Sequence, residues 1–136
     1  MIECTKRKSD CPICFGLDTF GDKWTLLIIR DLVMCDKRYY GEFLDSDEKI
    51  ATNILANRLK KLEAHGIFRK TIDTHNKRKN RYDLTEKGID LIPILVEIGH
   101  WGGVYDESFD HKDSEFDKFS RNKELFIKEL REKMKK

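Results

Sequence analysis

The stretch that decides the fold is residues 39–84, which read YYGEFLDSDEKIATNILANRLKKLEAHGIFRKTIDTHNKRKNRYDL. A short helix is predicted over Tyr39–Leu44, and a polar turn follows it. A longer helix is predicted over Ala51–His65, because its apolar residues recur at helical spacing and lie on one face. Its N-cap is expected to be Thr52 or a neighbour of Ala51. Gly66 then ends this helix, as a glycine in this position commonly does.

A change of period after Gly66 predicts a β-hairpin. Residues 67–73 alternate as a strand does, and residues 79–84 form the return strand, with Tyr82 and Leu84 facing inward. The connection between them is polar and basic. Three consecutive cations are expected at the tip, where they pack against nothing: Lys77, Arg78 and Lys79.

Two helices are predicted before this stretch. The first starts at Cys11, because Pro12 is favoured at the first helical position, and it ends at Gly21. The second covers residues 22–34, with Asp22 as its N-cap. Cys35 follows this core helix and is expected to be a buried small hydrophobe.

Two more helices are predicted after the hairpin. Thr85 caps a helix that runs to about Trp101 and is apolar nearly all round. Such a helix in a small protein must bury both sides, so we expect a second subunit to cover the side that the domain leaves open. The last helix is predicted over residues 114–134, with an apolar stripe that begins at Phe116 and Phe119.

The order of these elements predicts a mostly α-helical fold with a small antiparallel β-hairpin. A short helix, a turn, an amphipathic helix and a basic hairpin form a winged helix-turn-helix, here with flanking dimerisation helices. We expect residues 1–110 to form this domain and residues 111–136 to form a C-terminal helical extension. A helix of this kind fits the major groove of DNA, and a hairpin beside it reaches the neighbouring backbone.

The charge distribution points to a polyanion. The net charge of the chain is only +2, but residues 37–81 hold 12 Lys/Arg and 6 Asp/Glu, a net charge of +6. Residues 82–120 hold 3 and 10 respectively, a net charge of −7. A basic middle beside an acidic segment indicates a surface for DNA on one part of the fold, although charge alone fits a solvated surface equally well.

The candidate DNA-binding residues lie on the exposed face of the Ala51–His65 helix, just before it, and in the hairpin. Amide side chains can hydrogen-bond base edges, and cations neutralise phosphates. Taken singly, each of these cations fits a solvated or ion-paired surface better, and only the joint pattern favours DNA. The set is Arg38, Thr52, Asn53, Asn57, Arg58, Lys60, Lys61, Lys77, Arg78 and Lys79.

Several classes of protein lack support in the sequence. The N-terminus is polar, with no apolar signal segment, and no run is long enough to span a membrane, so we expect a cytoplasmic protein with no membrane association. There is no glycine-rich phosphate loop, nucleophile elbow or paired-carboxylate site. We therefore predict neither an enzyme nor a cofactor or metal site.

At this point the sequence resembles the HxlR-type winged helix-turn-helix transcriptional regulators, which are MarR-like. The similar segments run in order from Cys11 to Trp101. They are Cys11-Pro12-Ile13, Leu17-Asp18, Gly21-Asp22-Lys23-Trp24, Leu26–Leu32, Arg38–Phe43, Ile50–Glu63, Tyr82–Gly88 and Ile98–Trp101.

The resemblance implies a homodimer that binds double-stranded DNA at an inverted-repeat operator, and we expect a repressor. It also implies that Cys11 senses thiol-reactive compounds in some members, so an electrophile or another small-molecule inducer is expected. A predicted helix N-terminus favours the thiolate at Cys11, whereas Asp10 opposes it.

Cys14 departs from the family pattern and creates a Cys-x-x-Cys pair. A redox dithiol would need a thioredoxin-like βαβ context, and a zinc site with Cys4 lacks a clear fourth ligand. Cys14 can also simply face the core. Two further alternatives stay open: a winged-helix protein–protein interaction module without specific DNA binding, and a thiol- or zinc-dependent enzyme built on this pair.

Overall fold

The structure is a computed structural model that describes residues 10–108 and 122–135. These ranges hold seven α-helices and one two-stranded antiparallel sheet. The elements are α1 (Pro12–Phe20), α2 (Lys23–Cys35), α3 (Tyr40–Leu44), α4 (Thr52–Ala64), β1 (Phe68–Ile72), β2 (Asn80–Leu84), α5 (Glu86–Ile89), α6 (Ile92–Tyr105) and α7 (Lys123–Met134). The fold class is confirmed, and so is the predicted order of four helices followed by a hairpin, but three helices and not two follow the hairpin in the described residues.

Local signals fix several of these ends. Pro12 stands at the start of α1, and the Asp22 carboxylate accepts a hydrogen bond of 3.0 Å from the Thr25 amide as the N-cap of α2. Gly66, with φ of 72°, follows the end of α4 in the left-handed region that residues with a Cβ rarely enter. The predicted N-cap of α4 is wrong, because Ala51 occupies that position without a side-chain cap.

The helix predicted from Thr85 to Trp101 is instead two helices. Thr85 does cap the first, α5, by accepting from the Gly88 amide at 3.2 Å. Pro93 explains the break, because its ring would clash with the carbonyl of Ile89 in a continuous helix. The chain therefore turns through Asp90 and Leu91, and α6 begins at Ile92.

One hydrophobic core joins the helices to the base of the hairpin. Helices α2, α4 and α6 each contribute fully buried side chains, and α7 adds Phe126 and Leu130 to the same cluster. The largest buried side chains are Phe43, Phe68, Ile29, Leu32, Leu55, Leu62, Ile67, Ile92, Val33 and Val96. Residues 114–121 of the predicted last helix, with Phe116 and Phe119, lie outside the described residues.

The cysteine at the end of α2 departs from expectation. Cys35 was expected to be buried, but it is exposed. It is the last residue of α2, and Asp36 after it adopts a left-handed conformation with φ of 56°. The chain therefore leaves the helix at this point, and the core packing of α2 ends before Cys35.

Of the helices described, none combines the length and the apolar character needed to cross a membrane.

Candidate nucleic-acid interface

Packing of α4 decides which of its residues remain open to a ligand. Leu55, Leu59 and Leu62 are buried against the core, and α4 contacts α2, α3 and β1. The opposite face is therefore turned to solvent. Five predicted DNA-binding residues are exposed there: Thr52, Asn53, Asn57, Lys60 and Lys61.

The turn between α3 and α4 is tied to α2 by an ion pair. The Arg30 guanidinium donates to both Glu48 oxygens at 2.8 Å, and it also donates to the buried Asp31. This bidentate contact lowers the pKa of Glu48 to about 2 and raises the pKa of Arg30. At the other side of the turn, the Tyr40 hydroxyl donates to the Thr52 carbonyl at 3.3 Å. The two contacts hold α3 and α4 in a fixed relation.

The hairpin, residues 68–84, is here called the wing. Its base is anchored by three aromatic rings. Phe68 and Tyr82 pair across the core with Phe43 of α3, and the centroids of all three rings lie 6.2–6.3 Å apart. Such spacing is favourable for aromatic side chains. Burial raises the pKa of the Tyr82 hydroxyl. Tyr82 and Leu84 face inward, which confirms the prediction.

The tip of the wing is a tight polar turn. The Asn76 carbonyl accepts from the Lys79 amide at 2.9 Å, and its side-chain oxygen accepts from the Arg78 amide at 3.0 Å. Lys77, Arg78 and Lys79 are all exposed. The expectation that none of them packs against the protein is wrong for Lys79, whose ammonium lies 5.4 Å from the Tyr39 ring centre. A cation over a ring face is attracted to it.

A groove of about 640 Å³ separates the wing from α3. Tyr39, Tyr40 and Gly41 line one side, and Arg78, Lys79 and Asn80 line the other. Sequence reasoning missed both tyrosines as members of this surface. The signal that could have found them was the two adjacent aromatic residues at the start of a short polar helix.

Two predicted DNA-binding arginines already have partners within the chain. The Arg38 guanidinium donates to the Leu32 carbonyl at 2.8 Å, and its side chain is only 16% exposed. Arg58 donates to Asp22 at 3.0 Å and to the Asn57 side-chain oxygen at 2.7 Å. Partial burial raises the pKa of Asp22, but hydrogen bonds from Thr25 and Arg58 outweigh it and leave the pKa lowered.

The predicted redox residue lies at the start of α1. Cys11 is the N-cap, its carbonyl accepts from the Phe15 amide at 3.1 Å, and its side chain is only 6% exposed. Cys14 is half-buried. Cys4 lies outside the described residues, and so do Lys6, Arg7 and Lys8, three cations close to Cys11 in the sequence. Within residues 10–108 and 122–135, no cluster of three or more His, Cys, Asp or Glu could hold a metal ion.

Two helices outside the helix-turn-helix and the wing expose large apolar side chains. On α1, Ile13 and Phe15 are 72% and 65% exposed. On α6, Ile98 and Trp101 are 49% and 67% exposed, and Val104 continues the strip. Contiguous apolar surface of this kind marks contact sites between proteins.

An exposed helix face beside a cationic wing is typical of a DNA-binding helix-turn-helix, and comparison with known families agrees with this. A family model described as HxlR-like helix-turn-helix matches residues 19–110. The chain belongs to this family. HxlR-like proteins are transcriptional regulators that bind DNA through the helix-turn-helix, and the predicted resemblance is confirmed.

Three similar proteins illustrate the comparison. The uncharacterized HTH-type transcriptional regulator YybR of Bacillus subtilis is 34% identical over 96 residues, which are 71% of this chain and 76% of YybR. The redox regulator HypR in its oxidized form is 33% identical with a TM-score of 0.61, covering 69% of this chain and 96% of HypR. The reduced transcriptional regulator YodB from B. subtilis is 30% identical with a TM-score of 0.57, covering 74% and 98%.

Proposed function

We propose that this HxlR-like regulator is a homodimeric repressor that binds an inverted-repeat operator in double-stranded DNA. Each subunit places α4 in the major groove of one half-site, and the wing lies along the adjacent backbone. The observation that carries the proposal is the exposed polar face of α4, which Tyr40 links to the groove beside the cationic wing. A dimer bound over a promoter represses by occupying DNA that polymerase needs.

Side-chain chemistry divides the proposed contacts into two groups. Asn53 and Asn57 read base edges, because amides suit adenine, and Thr52 bonds a base or a phosphate. Arg38 and Arg58 already donate to carboxylates and carbonyls of their own chain. We therefore propose that they stabilise the elements of the DNA-binding surface and do not contact phosphates. The proposed phosphate contacts are the exposed cations Lys60, Lys61, Lys77, Arg78 and Lys79.

The proposed dimer uses the apolar faces of α1 and α6. Ile13, Phe15, Ile98 and Trp101 are all large side chains left exposed by the single subunit. Burying them against a second copy removes apolar surface from water, which is the main driving force of association. A two-fold dimer in turn matches an inverted repeat, because half-site symmetry mirrors protein symmetry.

The third part of the proposal is a response to thiol-reactive compounds through Cys11. HypR is named a redox regulator, and solved structures of YodB include diamide-treated and quinone-bound forms. Cys11 stands at a helix N-terminus, where the dipole favours a thiolate. It also stands directly before α1, so a modified side chain would disturb the helix that we assign to the dimer.

The DNA-binding part is tested by the salt dependence of affinity. Lys77→Ala with Arg78→Ala should weaken binding to every duplex and reduce the slope of log K against log salt by about 2, because two phosphate contacts are lost. Titrations of fluorescent duplex at several salt concentrations measure this slope. Operator DNA for the assay comes from selection out of a random pool, where an inverted repeat is expected.

The matched control removes two exposed cations from outside the helix-turn-helix and the wing. Lys128→Ala with Lys135→Ala on and after α7 should leave the slope unchanged. If the wing variant keeps the wild-type slope, the wing is not part of the DNA interface. A wild-type protein with little salt-dependent affinity for any duplex supports the alternative, a protein–protein interaction module.

A further inference from the structure

The outer half of the wing lies beyond the hydrophobic core. Phe68 and Tyr82 are buried at the base, but every residue from Arg69 to Ile72 is exposed, and Ile72 is 64% exposed. The tip, residues 74–80, is exposed throughout. A two-stranded ribbon is only marginally stable by itself, so contacts to neighbouring elements decide where its tip points.

Tyr39, at the N-cap of α3, supplies contacts of this kind. Its hydroxyl donates to the Asp73 carboxylate at 2.9 Å, at the point where β1 enters the tip. Its ring lies beneath the Lys79 ammonium at 5.4 Å. Its backbone pairs with Arg81 of β2 in an isolated antiparallel bridge. Tyr39 therefore contacts β2, the tip, and Asp73 between β1 and the tip.

Two wing residues that contact Tyr39 are also hydrogen-bonded to each other. The Asp73 amide donates to the Lys79 carbonyl at 2.9 Å, so the two wing residues that meet Tyr39 also hold one another. The Tyr39 hydroxyl lowers the pKa of Asp73, which keeps the acceptor ionised. Hydrogen bonds to a charged acceptor are stronger than those between neutral groups.

We propose that Tyr39 is a positioning residue that sets the angle of the wing against the helix-turn-helix, and thereby aligns Arg78 and Lys79 with the DNA backbone. The inference rests on the proposed function. Tyr39 acts through the wing and not by touching DNA, because its hydroxyl is engaged by Asp73 and its ring is covered by Lys79.

Tyr39→Phe tests this role, because it removes the hydroxyl and keeps the ring under Lys79. Operator affinity should fall about fivefold, as expected when a single charged hydrogen bond that orders the wing is lost. The salt slope should fall by about 1, because one wing cation no longer meets its phosphate. The thermal unfolding midpoint is measured alongside, so that affinity is compared only between folded proteins.

A double-mutant cycle with Asp73→Ala separates positioning from direct contact. If Tyr39 acts through Asp73, Tyr39→Phe should have no effect on affinity in the Asp73→Ala background. An equal loss in both backgrounds means that the hydroxyl does not act through Asp73, and it overturns the proposal. Wild-type affinity and slope in Tyr39→Phe overturn it as well.

The control variant is Tyr40→Phe, which removes the neighbouring hydroxyl that donates to the Thr52 carbonyl. Tyr40→Phe should change operator affinity by the same factor in the wild-type and the Asp73→Ala backgrounds. The proposed function fails separately, when the wild-type chain shows no salt-dependent binding to duplex DNA. A wild-type protein that binds while Tyr39→Phe is unaltered refutes only the inference about Tyr39.

Discussion

Individual side chains hold this regulator together through partners that lie far apart in the sequence. Arg30 pairs with Glu48, 18 residues later, and Tyr39 with Asp73, 34 residues later. Charge periodicity within one element cannot reveal such pairs, because each depends on how two elements pack. Arg38 and Arg58 illustrate the same limit, since the sequence shows cations but not the carboxylates that they meet inside the fold.

The Arg30–Glu48 pair predicts how stability depends on acidity. The folded-state pKa of Glu48, about 2, lies below its ordinary value of 4.5, so the unfolded chain binds more protons between these values. The ion pair contributes fully to the free energy of unfolding above the ordinary pKa of Glu48, and this contribution is lost as the pH falls through the folded-state pKa. Glu48→Gln should therefore flatten the free energy of unfolding between about pH 4.5 and pH 2, as measured by urea denaturation. If the free energy of unfolding depends on pH in the same way in Glu48→Gln and the wild type, the ion pair has no such role.

Cys11 carries the prediction for redox response. Cys11→Ser should preserve operator binding and remove the loss of binding that diamide or a quinone causes in the wild type. Because the thiol is only 6% exposed, the wild-type reaction should be slow and limited by local opening of α1. Gel shifts after timed exposure measure both effects.

The exposed Cys35 provides the matched control for that experiment. Cys35→Ser should retain the full response to diamide. If it loses the response while Cys11→Ser keeps it, the sensor lies at the end of α2.

Whole elements were predicted well where apolar spacing and caps agree. α1, α2 and α4 each end within about two residues of their expected bounds, because Pro12, Asp22 and Gly66 act locally. The boundary between α5 and α6 was missed, since Pro93 lies inside an otherwise continuous apolar run. The loss of one hydrogen bond at a proline outweighs periodicity there.

The exposed strip on α6 gives the prediction for assembly. Ile98→Asp should convert the dimer to a monomer, because a carboxylate would be desolvated in an apolar contact. Sedimentation velocity reports the mass directly. Operator affinity should fall with it, since one half-site binds alone.

Another exposed isoleucine, outside the proposed contact, serves as the control. Ile72→Asp in the wing, where the side chain is 64% exposed, should leave the mass unchanged. A wild-type protein that sediments as a monomer, or an Ile98→Asp dimer, refutes the assignment of α6 to the interface.

For the molecule as a whole, sequence reasoning reached the winged helix-turn-helix and the open face of α4. That was possible because hydrophobic patterning dictates which side of each element faces the core. It could not reach the groove between α3 and the wing, which exists only once Tyr39 and Tyr40 are placed beside Arg78 and Lys79. α7 shares its core with α2 and α6, while the expected division at residue 110 stays a prediction.

The exposed tip of the wing has an evolutionary consequence. Lys77 and Arg78 are exposed, so replacing them leaves the core unchanged, whereas Asn76 closes the turn and Lys79 lies over the Tyr39 ring. Substitutions at Lys77 and Arg78 in related genes can therefore tune how tightly the proposed interface holds DNA of any sequence, without compensating changes in the core.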